Sequence, residues 1–148
     1  MLCQGYVDCW PAADLTDPQG RLACSFVRVP PMGLLAVYSI YLMPGDGMAA
    51  VETNQAVMAR LVQHIISHPL EWVIAGDWNL DPHVVQQLPW VVRSHAVVLV
   101  SAAPTCHPSV GEDSWRDFFV VSSLLASAQL GAATMDEVQV ATHAAVGL

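Results

Sequence analysis

The sequence predicts an α/β domain, because apolar runs of strand length alternate with helical periodicity and turn-forming residues mark the junctions. Two observations carry most of that expectation. Residues 21–29 and 34–42 are apolar, β-rich runs separated by Pro30-Pro31-Met32-Gly33, the pattern of a β-hairpin with a short loop. Beyond the Pro44-Gly45-Asp46-Gly47 loop, Met58, Leu61, Val62 and Ile65 recur at helical spacing and predict an amphipathic helix over about 48–68.

The remaining elements follow in order. Residues 1–20 read as irregular, broken by Pro11, Asp14, Asp17, Pro18 and Gly20. His68-Pro69 closes the long helix, since a residue before proline is pushed out of the α region. Residues 71–76 are short, apolar and bounded by turns, as a central strand would be. Asp81-Pro82 has the chemistry of a helix start, with Asp as cap and Pro in the first turn, and Pro89 interrupts that helix early. Strands are expected over 96–101, 116–122 and 138–148, with a polar loop over 104–114.

The 148 residues suffice for one domain with a real core. Thirteen acidic residues against five basic ones give a net charge of −8, so no basic stripe exists to bind nucleic acid non-specifically. A chain 54% hydrophobic and 12% charged is not a disordered tail. So little charge suits a membrane protein, or a piece of a larger fold whose other part covers apolar surface. The uncharged runs 29–45 and 118–135 are interrupted by prolines or diluted by polar residues, so no membrane span is expected. Residues 1–10 lack the pattern of a signal peptide, and an intracellular setting is favoured. Cys3, Cys9, Cys24 and Cys106 show no metal-binding spacing and are read as reduced thiols.

Gly76-Asp77-Trp78-Asn79 is the most informative segment for chemistry. A carboxylate and a carboxamide two positions apart at a strand's end are expected to point the same way on the pleat, where α/β sheets bind ligands. Asp77 can accept a proton from water or hold a cation, and Asn79 can orient a phosphate oxygen. A strand-closing Asp-x-Asn turn is the plainer alternative. Asp117 opens an apolar strand, as a solvated end or a histidine's partner. His143 lies in an apolar stretch, where a satisfied core or surface histidine is the plainer reading. His64 and His68 are one helical turn apart, a spacing that can chelate zinc, but with no third ligand evident they read as residues of a polar helix end. The five tryptophans read mostly as core or rim, although Trp78 and Trp115 flank the proposed site and are candidates to stack on a base.

Together these segments resemble the endonuclease/exonuclease/phosphatase superfamily, which has the deoxyribonuclease-I-like fold. Gly76-Asp77-Trp78-Asn79 matches the family's Gly-Asp-x-Asn, and Ser114-Trp115-Arg116-Asp117-Phe118 its Ser-x-x-Asp followed by an aromatic. Ala141-Thr142-His143 keeps the His of the terminal Ser-Asp-His but has Thr in place of Asp. Tyr41-Leu42-Met43-Pro44 is similar to the family's Tyr-x-Pro loop with one residue more. The segment from Trp115 onward also resembles retroelement and apurinic-site endonuclease domains.

The resemblance spans residues 21–148 and implies an incomplete deoxyribonuclease-I-like β-sandwich with flanking helices, lacking the family's N-terminal part. It implies metal-dependent phosphodiester hydrolysis, with nucleic acid as substrate and Asp77, Asn79, Asp117 and His143 as site residues. Asp77 and Asn79 would hold Mg²⁺, and Asp117 would hold His143 against the scissile phosphate. The family's metal-binding Glu has no counterpart before the hairpin, where Asp8, Asp14 and Asp17 sit among breakers, so weakened Mg²⁺ binding and impaired activity are expected. The alternatives are a non-catalytic remnant or interaction module of retroelement origin, and a phosphoinositide or phosphomonoester phosphatase of the same fold.

Overall fold

The computed structural model describes residues 8–128, 131–140 and 143–147, with 133–140 and 143–145 described by their backbone alone. Among these residues eight strands and four helices follow one another: β1 (Cys9–Pro11), β2 (Leu22–Val29), β3 (Gly33–Tyr41), α1 (Met48–Ser67), β4 (Glu71–Asp77), α2 (Pro82–Gln86), α3 (Pro89–Arg93), β5 (Val97–Leu99), β6 (Asp117–Val121), α4 (Ser123–Ser127), β7 (Ala133–Val140) and β8 (His143–Gly147). Six strands form an open sheet in the order β1-β2-β3-β4-β6-β5, and β7-β8 pair as a separate hairpin.

The expected hairpin is β2-β3, in antiparallel register from Leu22 opposite Ile40 to Val29 opposite Gly33. Gly33 adopts φ +100°, which a side chain would strain. β3 and β4 are parallel and joined through α1, a crossover that puts the helix across one face of the sheet. Alternation then sorts the side chains. Ala36, Tyr38 and Ile40 of β3, with Trp72 and Ile74 of β4, belong to the main core together with Val57 and Leu61 of α1. The other face holds a smaller cluster of Val73, Val121 and Leu125, with Leu35, Leu99 and Phe119 only partly buried.

Three expectations need correction. Residues 9–11, read as irregular, form an edge strand on β2, with Trp10 opposite Phe26. Pro11 is tolerated there because an edge strand has one side free of the ladder. The single last strand is two, β7 and β8. Pro89 does interrupt α2 as expected, and it starts a short helix of its own, since proline suits a first helical turn. The buried stripe of α1 runs through Ala50, Asn54, Val57, Leu61 and His64, rotated from the one that periodicity suggested. His64 is therefore a core residue, not part of a polar helix end. Asn54 fastens α1 to the end of β3, accepting from the Met43 N–H at 2.7 Å and donating to the Met43 carbonyl at 3.0 Å. No helix among the described residues is long and apolar enough to cross a membrane.

Candidate functional site

β4 is flanked by β3 on one side and β6 on the other, and all three reach one end of the sheet together. There Tyr41, Asp77 and Asp117 fall in one cross-strand row: Tyr41 is the register partner of Asp77, and Asp77 of Asp117. Register partners on neighbouring strands point to the same face, so the two carboxylates are neighbours although 40 residues apart in sequence. Their face is the one turned away from α1, because Tyr38, Ile40 and Ile74 at the alternate positions belong to the α1-side core.

Gly76 makes this arrangement possible. A Cβ there would lie 1.8 Å from the Ile40 carbonyl oxygen, so only glycine lets β4 run so close to β3. After Asp77 the chain leaves the strand. The Asn79 N–H donates to Asp77 Oδ1 at 3.1 Å, and Asn79 adopts φ +47°. Asn79 is thus a turn residue, not a second residue on the pleat, as Asp-x-Asn turns favour. Its Nδ2 donates to the Leu42 carbonyl at 2.8 Å, which turns the carboxamide toward the end of β3.

Asp117 is the first residue of β6, as expected. What holds it was not anticipated. Thr105 is fully buried, and its Oγ1 accepts from the N–H groups of both Arg116 and Asp117 at 2.9 Å. A lone Thr in a polar loop carries no sequence signal for that role. Arg21 was also missed: its guanidinium lies 5.0 Å from the centre of the Tyr41 ring, and its backbone carbonyl accepts from the Tyr41 N–H at 2.8 Å. Arg21 and Arg116 thus bring two of the five basic residues to this end of the sheet.

Trp78 takes the plainer of its two roles, that of a core residue. It is fully buried, stacks on Phe118 with ring centres 5.4 Å apart, and donates its Nε1–H to the Phe118 carbonyl at 3.1 Å. It anchors β4 to β6 and is not available to a base. Trp115 is half-buried, with Nε1–H donating to the Ser101 carbonyl at 3.0 Å. His143 opens β8, its backbone paired with Val140, and β8 lies close to β6; its side chain, and the expected contact with Asp117, fall outside the described residues.

No protein-family model matches the sequence, and no curated protein matches it in sequence. Solved structures match in three dimensions. The endonuclease domain of TRAS1, a telomere-specific non-LTR retrotransposon, superposes with a TM-score of 0.71 over 98% of this chain and 67% of its own, at 14% identity. The fold is deoxyribonuclease-I-like. The same fold is shared with the 3′-5′ exonuclease NExo from Neisseria meningitidis (TM-score 0.62, 17% identity, 95% of this chain, 69% of NExo). It is shared as well with CdtB, the biologically active subunit of cytolethal distending toxin (TM-score 0.60, 16% identity, 94% of this chain). This chain spans 55% of CdtB, so a deoxyribonuclease-I-like domain of that size has elements beyond those matched here. The open six-stranded sheet with flanking helices agrees with the fold class that the motifs implied.

Proposed function

We propose that the chain carries the phosphate-handling end of a metal-dependent phosphodiester hydrolase, acting on nucleic acid. The observation that carries this reading is the Tyr41–Asp77–Asp117 row with Asn79 beside it, at the end of the sheet that also holds Arg21 and Arg116. The donor set fits a hard cation. Asp77 offers carboxylate oxygens, and Asn79 offers Oδ1 to a cation while one of its two Nδ2 protons is committed to Leu42. Mg²⁺ bound by Asp77 and Asn79 would supply Lewis-acid polarisation of the phosphate.

The chain's own groups do the rest. Asp77 positions the attacking water and accepts its proton. The second amide N–H of Asn79 orients a phosphate oxygen, and Arg21 contributes positive charge. By resemblance, Asp117 holds His143, which stabilises the charge developing on the scissile phosphate. One carboxylate and one carboxamide from these residues hold the ion weakly, so turnover by this segment alone is slow. Nucleic acid is favoured because NExo has been captured with a product DNA hairpin and TRAS1 contributes an endonuclease domain.

The test is hydrolysis of plasmid DNA, abasic-site DNA and a phosphoinositide by the purified chain with Mg²⁺. Slow, Mg²⁺-dependent DNA cleavage that Asp77→Ala abolishes is the expected result. Cleavage that survives Asp77→Ala overturns the site assignment. Hydrolysis of the phosphoinositide alone replaces the substrate, and no hydrolysis of any of them leaves a non-catalytic interaction module.

A further inference from the structure

On the α1 face of the sheet, away from the row described above, three potential metal ligands converge. Asp14, in the segment joining β1 to β2, meets His64 and His68 of the last turn of α1 and its C-cap. One ligand atom from each lies within 4.8 Å of the other two. His64 Nε2 is 3.3 Å from Asp14 Oδ1, and His68 Nε2 is 3.3 Å from Asp14 Oδ2. Neighbouring ligands of tetrahedral zinc, with bonds of about 2.0–2.1 Å, are separated by about 3.3 Å. The rings of His64 and His68 stack with centres 4.2 Å apart, which sets the two side chains next to one another.

The second nitrogen of each ring is already engaged, as it is in metal-bound histidines. His68 Nδ1 lies 3.1 Å from the His64 carbonyl oxygen, and a carbonyl only accepts. Nδ1 therefore carries the proton, and in the neutral ring Nε2 presents a lone pair to a carboxylate oxygen. Two acceptors facing one another at 3.3 Å call for a proton or a metal ion between them. His64 Nδ1 lies 2.8 Å from the hydroxyl of Tyr38, which is itself buried. Protons on the two Nε2 atoms satisfy these contacts when the Tyr38 O–H donates to His64 Nδ1; a metal ion engages both histidines and the carboxylate at one point instead. A polar cleft of about 320 Å³, lined by Asp14, Arg60, Gln63, His64 and Ser67, opens beside the trio and leaves room for a solvent ligand.

We propose that Asp14, His64 and His68 bind a zinc-class divalent ion, with water in the fourth position, and that the ion clasps the β1–β2 connection to α1. Two imidazoles and one carboxylate select zinc or cobalt over Mg²⁺, which prefers oxygen ligands. The site is independent of the phosphodiesterase reading. It lies on the opposite face of the sheet, and Asp77 is at the far end of β4, about 20 Å from its start near His68.

Zinc titration of the metal-stripped, reduced chain against a chromogenic chelator tests it, with cobalt as the spectroscopic substitute. One equivalent is expected to bind, to raise the melting temperature, and to give a cobalt spectrum without a thiolate charge-transfer band. His68→Ala and Asp14→Asn, on different elements and each checked for fold by circular dichroism, should each weaken binding at least about tenfold. Tyr38→Phe should weaken it less. A wild-type chain that takes up no zinc, an affinity unchanged in both variants, or a thiolate band from the cysteines would each overturn the assignment.

Discussion

Asp77 and Asp117 stand directly opposite one another on β4 and β6, the last residue of one strand against the first of the next. Like charges at such a position disfavour the sheet unless a cation or a protonated partner lies near. Asp77 also accepts the Asn79 N–H, and this separates its local role from any catalytic one. Asp77→Asn keeps an oxygen acceptor for that N–H, so the turn and the melting temperature should hold, while Mg²⁺-dependent hydrolysis falls by about 100-fold or more. Asp77→Ala should lose the same activity and about 1 kcal/mol of stability besides. Comparing hydrolysis rates with denaturation midpoints for the two variants checks this.

Trp78→Ala should be a stability variant. The indole is fully buried against Phe118, and truncating such a residue costs about 3–5 kcal/mol. Urea denaturation should show that loss. A Trp78→Ala chain of unchanged midpoint but altered DNA binding would return the residue to a base-stacking role.

Thr105→Val removes the acceptor shared by two backbone N–H groups while keeping the side-chain shape. Leaving those donors unsatisfied costs about 1–3 kcal/mol, and the start of β6 should loosen. Amide exchange at Arg116 and Asp117 should accelerate, with any hydrolytic activity falling in parallel.

Burial pushes the Cys24 thiol up from 9.0 to about 11, opposed by its hydrogen bond with Tyr38 and reinforced by the charge of Asp14. Between those values the native state holds a proton that the unfolded chain releases. The corresponding stability is present below about pH 9 and lost as the pH rises toward 11. Denaturation midpoints should fall across that range, and the buried Tyr38 hydroxyl, also pushed up by burial, extends the fall to higher pH. At neutral pH Cys9, which is exposed, should react with a thiol reagent while Cys24 reacts only on unfolding, as labelled-peptide mass spectrometry would show.

The parts legible in the sequence were those written in local chemistry. The Pro30–Gly33 punctuation placed the β2-β3 hairpin, His68-Pro69 ended α1, and Asp81 caps α2 by accepting from the His83 N–H at 2.8 Å. The Gly-Asp-x-Asn segment marked the end of β4, and the register brought Asp117 to it. What could not be read depends on contacts distant in sequence. Asn54 and His64 are polar yet line the buried stripe of α1, because Met43 and Tyr38 supply their hydrogen bonds, so a count of apolar residues alone misplaced that face. Asp14 lies among turn-forming residues, 50 positions before the histidine it meets. Trp78 follows Asp77 directly, and strand alternation sends the two to opposite faces.

The position of β4 also bears on how the molecule opens. A strand with hydrogen-bonded neighbours on both sides loses its ladder only when the whole sheet comes apart, whereas three-residue edge strands can fray alone. Amide deuteration should therefore be fast at β1 and β5 and slowest at Ile74 and Ala75. Asp77, at the end of that strand, would keep its place through local fluctuations, so the carboxylate row should persist in every partly opened form that retains the centre of the sheet.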